Sequence, residues 1–159
     1  MRKVAIVTDS TAYLPKDFVE RYAIKVVPQV LIWGDQTFED GVDIQPTEFY
    51  QRLASSKTMP TTSQVSVPNM QKAFDGLLEQ DYDVLGMFIS SKLSGTIQSA
   101  IQGREALAKD KERVEIIDTN TTAMAMGFQV LTVARAASEG ATLAECKALA
   151  GRVRDHTGV

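Results

Sequence analysis

The fold class is indicated most clearly by one stretch of the sequence, Ile89-Ser90-Ser91-Lys92-Leu93-Ser94-Gly95-Thr96. This stretch joins an apolar run to a segment with the apolar spacing of a helix. Residues 84–89 before it are typical of a buried strand, and the apolar spacing of 97–108 predicts a helix. A polar turn at a helix start presents backbone N–H groups at the positive end of the helix dipole. We expect this turn to offer a site for a carboxylate or phosphate, with simple helix capping by Ser94 as the alternative.

The same order of strand and polar turn occurs twice more in the chain. Residues 4–7 lead into the turn 8–11, and residues 114–117 lead into the turn 118–121. Helical spacing alternates with these strands, at 15–22, 46–55, 67–80, 122–138 and 143–154. This alternation predicts an α/β fold with a mostly parallel β-sheet and helices on both faces. The three turns then share the carboxyl edge of the sheet, where open α/β folds bind ligands.

Two segments depart from this alternation. The apolar stretch 24–33 contains Pro28, which predicts a strand edge or a bend, and 36–40 is expected to return as a small hairpin arm. Segment 56–68 has no apolar periodicity and includes Met59-Pro60-Thr61-Thr62-Ser63-Gln64. We interpret it as a long loop of the kind that is functional or mobile.

Composition and charge bound the function classes. The length of 159 residues suits one domain, residues 1–159, and the net charge of −3 argues against a nucleic-acid partner. Cys146 is the only cysteine, which excludes an internal disulfide and favours a reducing, cytoplasmic setting. The chain has no long apolar signal region and no run that would span a bilayer. Residues 156–159 leave the last helix where another strand would begin, so we expect one domain of a longer protein.

The residues at the expected ligand edge offer few catalysts. His156 is the only histidine and lies on the terminal tail, so a Ser–His–Asp triad is not expected. The glycine-rich signatures of dinucleotide and P-loop sites are absent from the sequence. Asp9 and Asp118 follow strands and are candidates either for a metal site or for stabilising their own turns. Lys92 is expected to point to solvent because its neighbours are small and polar.

Segment 122–131 is apolar on nearly every face and mixes small residues with Met124 and Met126. Such a helix is normally part of the core, but small residues beside methionine also fit a tube for an apolar ligand. Because each buried CH₂ contributes about 0.8 kcal/mol, a long alkyl chain would supply most of the affinity there.

The chain resembles the DegV family of bacterial fatty-acid-binding proteins, some of which are the acyl-carrying subunit of fatty acid kinase. The motifs that carry the resemblance cover nearly the whole chain and occur in the family's order. They are Val7-Thr8-Asp9-Ser10-Thr11, Val27-Pro28, Asp40-Gly41-Val42-Asp43-Ile44, Pro60-Thr61-Thr62-Ser63-Gln64, the stretch from Ile89 to Thr96, and Ile117-Asp118-Thr119.

The resemblance implies a DegV N-terminal-domain-like fold that binds a long-chain fatty acid. Thr62, Ser63 and Ser94 would contact the carboxylate, Gly95 and Thr96 would shape the turn, and the acyl tail would lie between sheet and helices. It implies no catalytic residue, no metal and no cofactor in this chain. A separate fatty acid kinase would phosphorylate the bound acid for phospholipid synthesis, and the family's second, lid-like domain is absent from this sequence.

Two other functions stay open on the sequence alone. One is a serine-type hydrolase or a phosphotransferase acting on a small phosphorylated metabolite. The other is an interaction domain whose apolar helix is core and whose turns bind a partner protein.

Overall fold

The computed structural model describes residues 2–157, so the last two residues of the predicted tail lie outside it. Its strands are β1 (Val4–Asp9), β2 (Lys25–Val27), β3 (Val30–Trp33), β4 (Gln36–Glu39), β5 (Thr61–Ser63), β6 (Asp83–Phe88) and β7 (Val114–Asp118). Its α-helices are α1 (Lys16–Arg21), α2 (Pro46–Ser55), α3 (Val67–Leu78), α4 (Thr96–Glu105), α5 (Ala123–Ser138) and α6 (Leu143–Asp155). Within the described range, none of the helices combines the length and apolarity that crossing a membrane requires.

The main sheet is parallel and has the strand order β2-β1-β6-β7. All six residues of β1 are buried, and β6 is buried from Val84 onward. Strands that are covered on both faces read as continuous apolar runs, which is the pattern that residues 4–7 and 84–89 show. The predicted α/β fold with a mostly parallel sheet is confirmed.

Alternate side chains of β1 enter two separate cores. Ile6 packs with Val130 and other residues of α5 and α6 on one face, while Val7 packs with Phe74 and the rest of the α3–α4 layer on the other. This division follows from the two-residue period of a strand. The sheet is thereby held between two helical layers, and its carboxyl edge is left for the turns.

A second sheet is antiparallel and has the order β4-β3-β5. The predicted hairpin arm is confirmed, since β4 pairs with β3, whereas the third strand, β5, was not predicted. Pro28 marks the point where the chain passes from β2 in the main sheet to β3 in the small one, as the expected bend requires. The interpretation of 56–68 as loop throughout is wrong, because β5 pairs with β3 in the register Leu31 to Thr62. All three β5 residues are exposed, so the strand has no buried face to produce an apolar alternation.

Helix α2 covers the small sheet and closes a third apolar cluster. Leu31, Trp33 and Ile44 are buried there, and Phe49 of α2 packs against them. The rings of Trp33 and Phe49 are 5.4 Å apart, and the Trp33 Nε1–H donates to the Thr58 carbonyl at 2.8 Å. The packing of Phe49 and the hydrogen bond of Trp33 therefore both hold the small sheet in place, beside the carboxyl edge of the main sheet.

The contact between α3 and α4 generates a stability prediction. A Cβ added to Gly103 of α4 would lie 2.7 Å from the Met70 Cβ and 2.9 Å from the Gln71 backbone nitrogen. We expect Gly103→Ala to lower the free energy of unfolding by about 1–3 kcal/mol, because the helices must separate to admit the methyl group.

Gly151→Ala is the matched control, since a Cβ at this helical position has open space around it. It is expected to raise the free energy of unfolding by about 0.5–1 kcal/mol, the usual gain for alanine over glycine in a helix. Urea unfolding of both variants measures the difference. Equal stability of Gly103→Ala and the parent chain would contradict the close approach of α3 and α4.

Candidate functional site

The carboxylate of Asp9 links the carboxyl ends of the two central strands, β1 and β6, through hydrogen bonds. Its Oδ1 accepts hydrogen bonds from the Thr11 backbone N–H at 3.0 Å and the Thr11 hydroxyl at 2.6 Å, and its Oδ2 accepts the Ile89 backbone N–H at 2.9 Å. Asp9 is completely buried, so these donors take the place of water around it. The turn after β1 and the turn after β6 are therefore held in one arrangement.

Asp118 likewise links the turn after β6 to the turn after β7 through hydrogen bonds to its carboxylate. Its Oδ2 accepts the Ser91 backbone N–H at 3.2 Å and its Oδ1 accepts the Asn120 backbone N–H at 2.9 Å. The interpretation of Asp9 and Asp118 as turn-stabilising residues is confirmed. Across residues 2–157, no cluster of three or more acidic, histidine or cysteine side chains is placed to hold a metal ion.

A groove of about 510 Å³ lies beside this edge, between the turn after β6, the small sheet and α2. This volume is within the usual range for small-molecule sites. One part of its lining is apolar, from Leu31, Ile44, Phe49 and Leu93. In the described part of the chain, the lining contains no lysine, arginine or histidine, so its polar contacts come from hydroxyl, amide, phenol and carboxylate groups.

The structure brings the predicted site residues from two distant loops to this one groove. Thr62 and Ser63 of β5 line it, and so do Ser94 and Gly95 of the turn after β6. Thr96 does not line it, because its side chain is fully buried behind Ser94 as the first residue of α4. Lys92, from the same turn, is exposed as predicted.

The hydroxyl of Ser94 has contacts within its own turn. Its Oγ accepts the Thr96 backbone N–H at 3.2 Å and lies 2.9 Å from the Thr96 Oγ1. Gly95, without a side chain, occupies the N-cap position of α4. Ser94 therefore satisfies a free N–H of the helix start, and it also lines the groove.

Two glutamines that the sequence analysis did not single out support the turn. The Gln29 Nε2–H donates to the Thr96 Oγ1 at 2.9 Å, and Gln29 is almost fully buried. The Gln64 Nε2–H donates to the Ser99 Oγ at 2.8 Å, and its side chain covers Gly95 so closely that a Cβ there would overlap it. The sequence feature that could have pointed to Gln29 is its position as a polar residue within the apolar stretch 24–33.

Tyr13 and Asp40 also line the groove and were missed. Tyr13 has a left-handed backbone conformation, with φ of 48°. Partial burial raises the pKa of the Tyr13 phenol above its usual value, and the negative charge of Asp40 raises it further. The phenol therefore stays protonated at neutral pH and is available as a hydrogen-bond donor.

Helix α5 belongs to the closed core and not to the groove. Met126, Val130 and Val133 are completely buried between the main sheet and α6, and α5 contributes no residue to the described lining. The core interpretation is confirmed for the inward side of 122–131, whereas Phe128 on the outer side is exposed. The alternative of an apolar tube along this helix gains no support from the groove, which α5 does not line. The apolar surface beside the hydroxyl groups comes instead from the small sheet and α2.

Comparison with known proteins identifies the chain's relatives. Residues 3–159 match the model of a family described as uncharacterised proteins of the DegV family. A DegV domain-containing protein of Caldanaerobacter subterraneus subsp. tengcongensis is 41% identical over 145 residues, which are 91% of this chain and 51% of that protein. The chain spans about half the length of the curated relatives it matches.

Solved structures show the same fold. A DegV family protein from Thermus thermophilus, described by its fatty acid binding, superposes with a TM-score of 0.85 at 33% identity, over 96% of this chain and 54% of that one. A stearic acid-binding protein from Eubacterium ventriosum gives a TM-score of 0.83 at 27% identity, over 93% of this chain and 51% of that one.

The buried carboxylate of Asp9 generates the second prediction. We expect Asp9→Ala to lower the free energy of unfolding by about 2–4 kcal/mol, because hydrogen bonds to a carboxylate are strong and the Ile89 N–H loses its partner. Asp118→Ala serves as the comparison, since Asp118 is only half-buried, and its expected cost is about 1 kcal/mol. Denaturant unfolding gives both values, and an equal cost for the two variants would refute the central role of Asp9.

Proposed function

The chain belongs to the DegV family, and from this premise we propose that it binds a long-chain fatty acid in the groove. The observation that carries the proposal is the meeting of Thr62 and Ser94 at one cavity that also has an apolar wall. The Thermus and Eubacterium proteins of the same fold bind fatty acids, which supports the assignment.

The carboxylate is held by uncharged donors in this proposal. The hydroxyls of Thr62, Ser63 and Ser94 line the groove, and each hydrogen bond to a charged acceptor is worth about 1.5–3 kcal/mol. The groove lining also includes Gly95 at the start of α4, where the positive end of the helix dipole favours an anion. Thr96 contributes from behind Ser94 and does not touch the ligand.

The acyl tail lies against the apolar part of the lining. Leu31 and Phe49 contribute from the small sheet and α2, and Leu93 from the turn after β6. At about 0.8 kcal/mol per buried CH₂, ten buried methylene groups contribute about 8 kcal/mol before the costs of association. The tail thus supplies most of the affinity, and the hydroxyls determine which end of the ligand lies at the turn.

The proposal extends to a separate fatty acid kinase as partner, as the family resemblance implies. Thr62 and Ser63 are exposed, so a head group bound beside them stays open to an approaching enzyme. His156 is exposed at the end of α6, remote in sequence from the lining, so a Ser94 nucleophile has no histidine base within residues 2–157. We therefore favour a carrier over a serine hydrolase.

Solvent extraction of the purified chain tests the fatty acid proposal. We expect mass spectrometry of the extract to recover a long-chain fatty acid in stoichiometric amount, or the emptied chain to bind added hexadecanoic acid. A folded chain that neither carries nor takes up a fatty acid would refute the proposal and would favour the interaction-domain alternative.

Substitution of the groove hydroxyls tests the head-group assignment. Ser94→Ala and Thr62→Ala are each expected to weaken hexadecanoic acid binding by about 1–3 kcal/mol, because each removes one donor to the carboxylate. Isothermal titration with the emptied variants measures the affinity.

The chain offers matched controls for both substitutions. Thr61 is the neighbour of Thr62 in β5, and it is exposed and does not line the groove. Ser91 is exposed in the same turn as Ser94 and does not line the groove. Thr61→Ala and Ser91→Ala should bind like the parent chain, and a loss as large in the controls as in the groove variants would remove Thr62 and Ser94 from the site.

A further inference from the structure

We propose that Gln29 is a positioning residue that turns the Ser94 hydroxyl hydrogen toward the groove, so that the site selects a head group that accepts hydrogen bonds. The proposal rests on the fatty acid-binding function above, and it adds a physical reason why the groove selects one kind of head group. Three side chains form the relay: Gln29 donates to Thr96, Thr96 donates to Ser94, and Ser94 donates to the ligand.

The side chain of Gln29 is held in one orientation. Its backbone N–H donates to the Ser10 Oγ at 3.1 Å, and its carbonyl accepts the Asp40 backbone N–H at 3.0 Å. With the backbone fixed on both sides and the residue nearly buried, the amide reaches Thr96 directly. Gln29 also lines the groove, and its link to Ser94 runs through Thr96.

The hydrogen-bond partners of Thr96 are the basis for the direction of the proposed relay. The Gln29 Nε2–H is 2.9 Å from the Thr96 Oγ1, and an amide NH₂ group only donates, so Thr96 accepts this bond. The single hydroxyl hydrogen of Thr96 then has two acceptors within reach. Ser94 Oγ lies at 2.9 Å and Gln29 Oε1 at 3.4 Å. The 2.9 Å contact accommodates either hydroxyl as donor, and the proposed relay assigns the Thr96 hydrogen to Ser94, the nearer of its two acceptors.

Ser94 is left with only a donor to offer. A serine oxygen has two acceptor lone pairs, and the Thr96 backbone N–H and the Thr96 hydroxyl take both. The one hydrogen of Ser94 has no partner in the turn and is free for the groove that Ser94 lines. A carboxylate, which only accepts, fits this hydroxyl, whereas an ammonium or amide N–H would find no acceptor on it.

Two variants of Gln29 test the relay in the emptied chain. Gln29→Glu reverses it, because a carboxylate accepts the Thr96 hydrogen and the Thr96 oxygen then accepts the hydrogen of Ser94. Gln29→Met removes the donor with little change in shape and no added charge. Hexadecanoic acid and hexadecanol are the probes, since the alcohol both donates and accepts and so adapts to either direction.

We expect Gln29→Glu to weaken hexadecanoic acid binding by about tenfold or more, with a smaller loss for hexadecanol. Repeating the change in the Ser94→Ala background separates the relay from the repulsion of a new charge, because only the relay needs Ser94. Gln45→Glu is the matched charge control, as Gln45 lines the groove and bonds to the Gly41 carbonyl outside the relay. Its loss should be the same with and without Ser94.

Gln29→Met should also weaken acid binding in the parent chain and have little effect in Ser94→Ala. Gln29→Met keeps the relay testable if the buried charge of Gln29→Glu unfolds the chain. Thermal unfolding of every variant checks that the fold is retained. Equal losses for acid and alcohol, or losses that persist unchanged in Ser94→Ala, would overturn the relay while leaving fatty acid binding intact. Failure of the parent chain to bind hexadecanoic acid would instead refute the proposed function itself.

Discussion

The buried carboxylate of Asp9 is the interaction on which the site depends. It binds backbone and hydroxyl donors from the end of β1 and the start of the turn after β6, so two parallel neighbours cannot shift at their carboxyl ends. A buried carboxylate is costly unless its oxygens are satisfied, and that cost forces the surrounding donors into fixed positions. The turn that carries Ser94 is consequently built on a rigid edge.

The small sheet supplies the other half of the site from a distant part of the chain. Pairing of β3 with β5 places Thr62 beside Leu31, and Leu31 and Trp33 of β3 pack into the apolar cluster with Phe49 of α2. Gln64 then crosses from the end of β5 to the buried Ser99 of α4. The groove is thus closed by two independent attachments, one through the sheet and one through a side-chain amide.

The main sheet and the turns were predictable because their signals are local. Continuous apolar runs at 4–7 and 84–89 indicate strands covered on both faces, and the polar turns after them must share one edge. In the small sheet the hairpin of β3 and β4 was predicted, but the addition of β5 was not predictable, since β5 is exposed throughout. Its place beside Ser94 depends on long-range pairing that no local pattern encodes.

The same distinction between local patterns and long-range contacts explains which residues of the groove the sequence analysis named. Thr62, Ser63 and Ser94 lie in short motifs, while Gln29 and Tyr13 act through contacts that only the folded chain creates. Segment 122–131 shows the opposite case: its apolar composition fits a ligand tube and a core equally well, and packing against α6 makes it core.

Holding an anion without a cation makes the direction of each hydroxyl important. A lysine would attract a carboxylate from any angle, whereas a serine attracts it only when its hydrogen points outward and its lone pairs are occupied. In the proposed relay Ser94 meets that condition, because the buried side chains of Thr96 and Gln29 lie behind it and reversing one bond would disturb the next. Asp40 in the same lining would repel an anion close to it, which in the proposed site favours a head group at the hydroxyls. In this proposal, selectivity is a property of oriented dipoles, and it depends in part on Thr96, which does not line the groove.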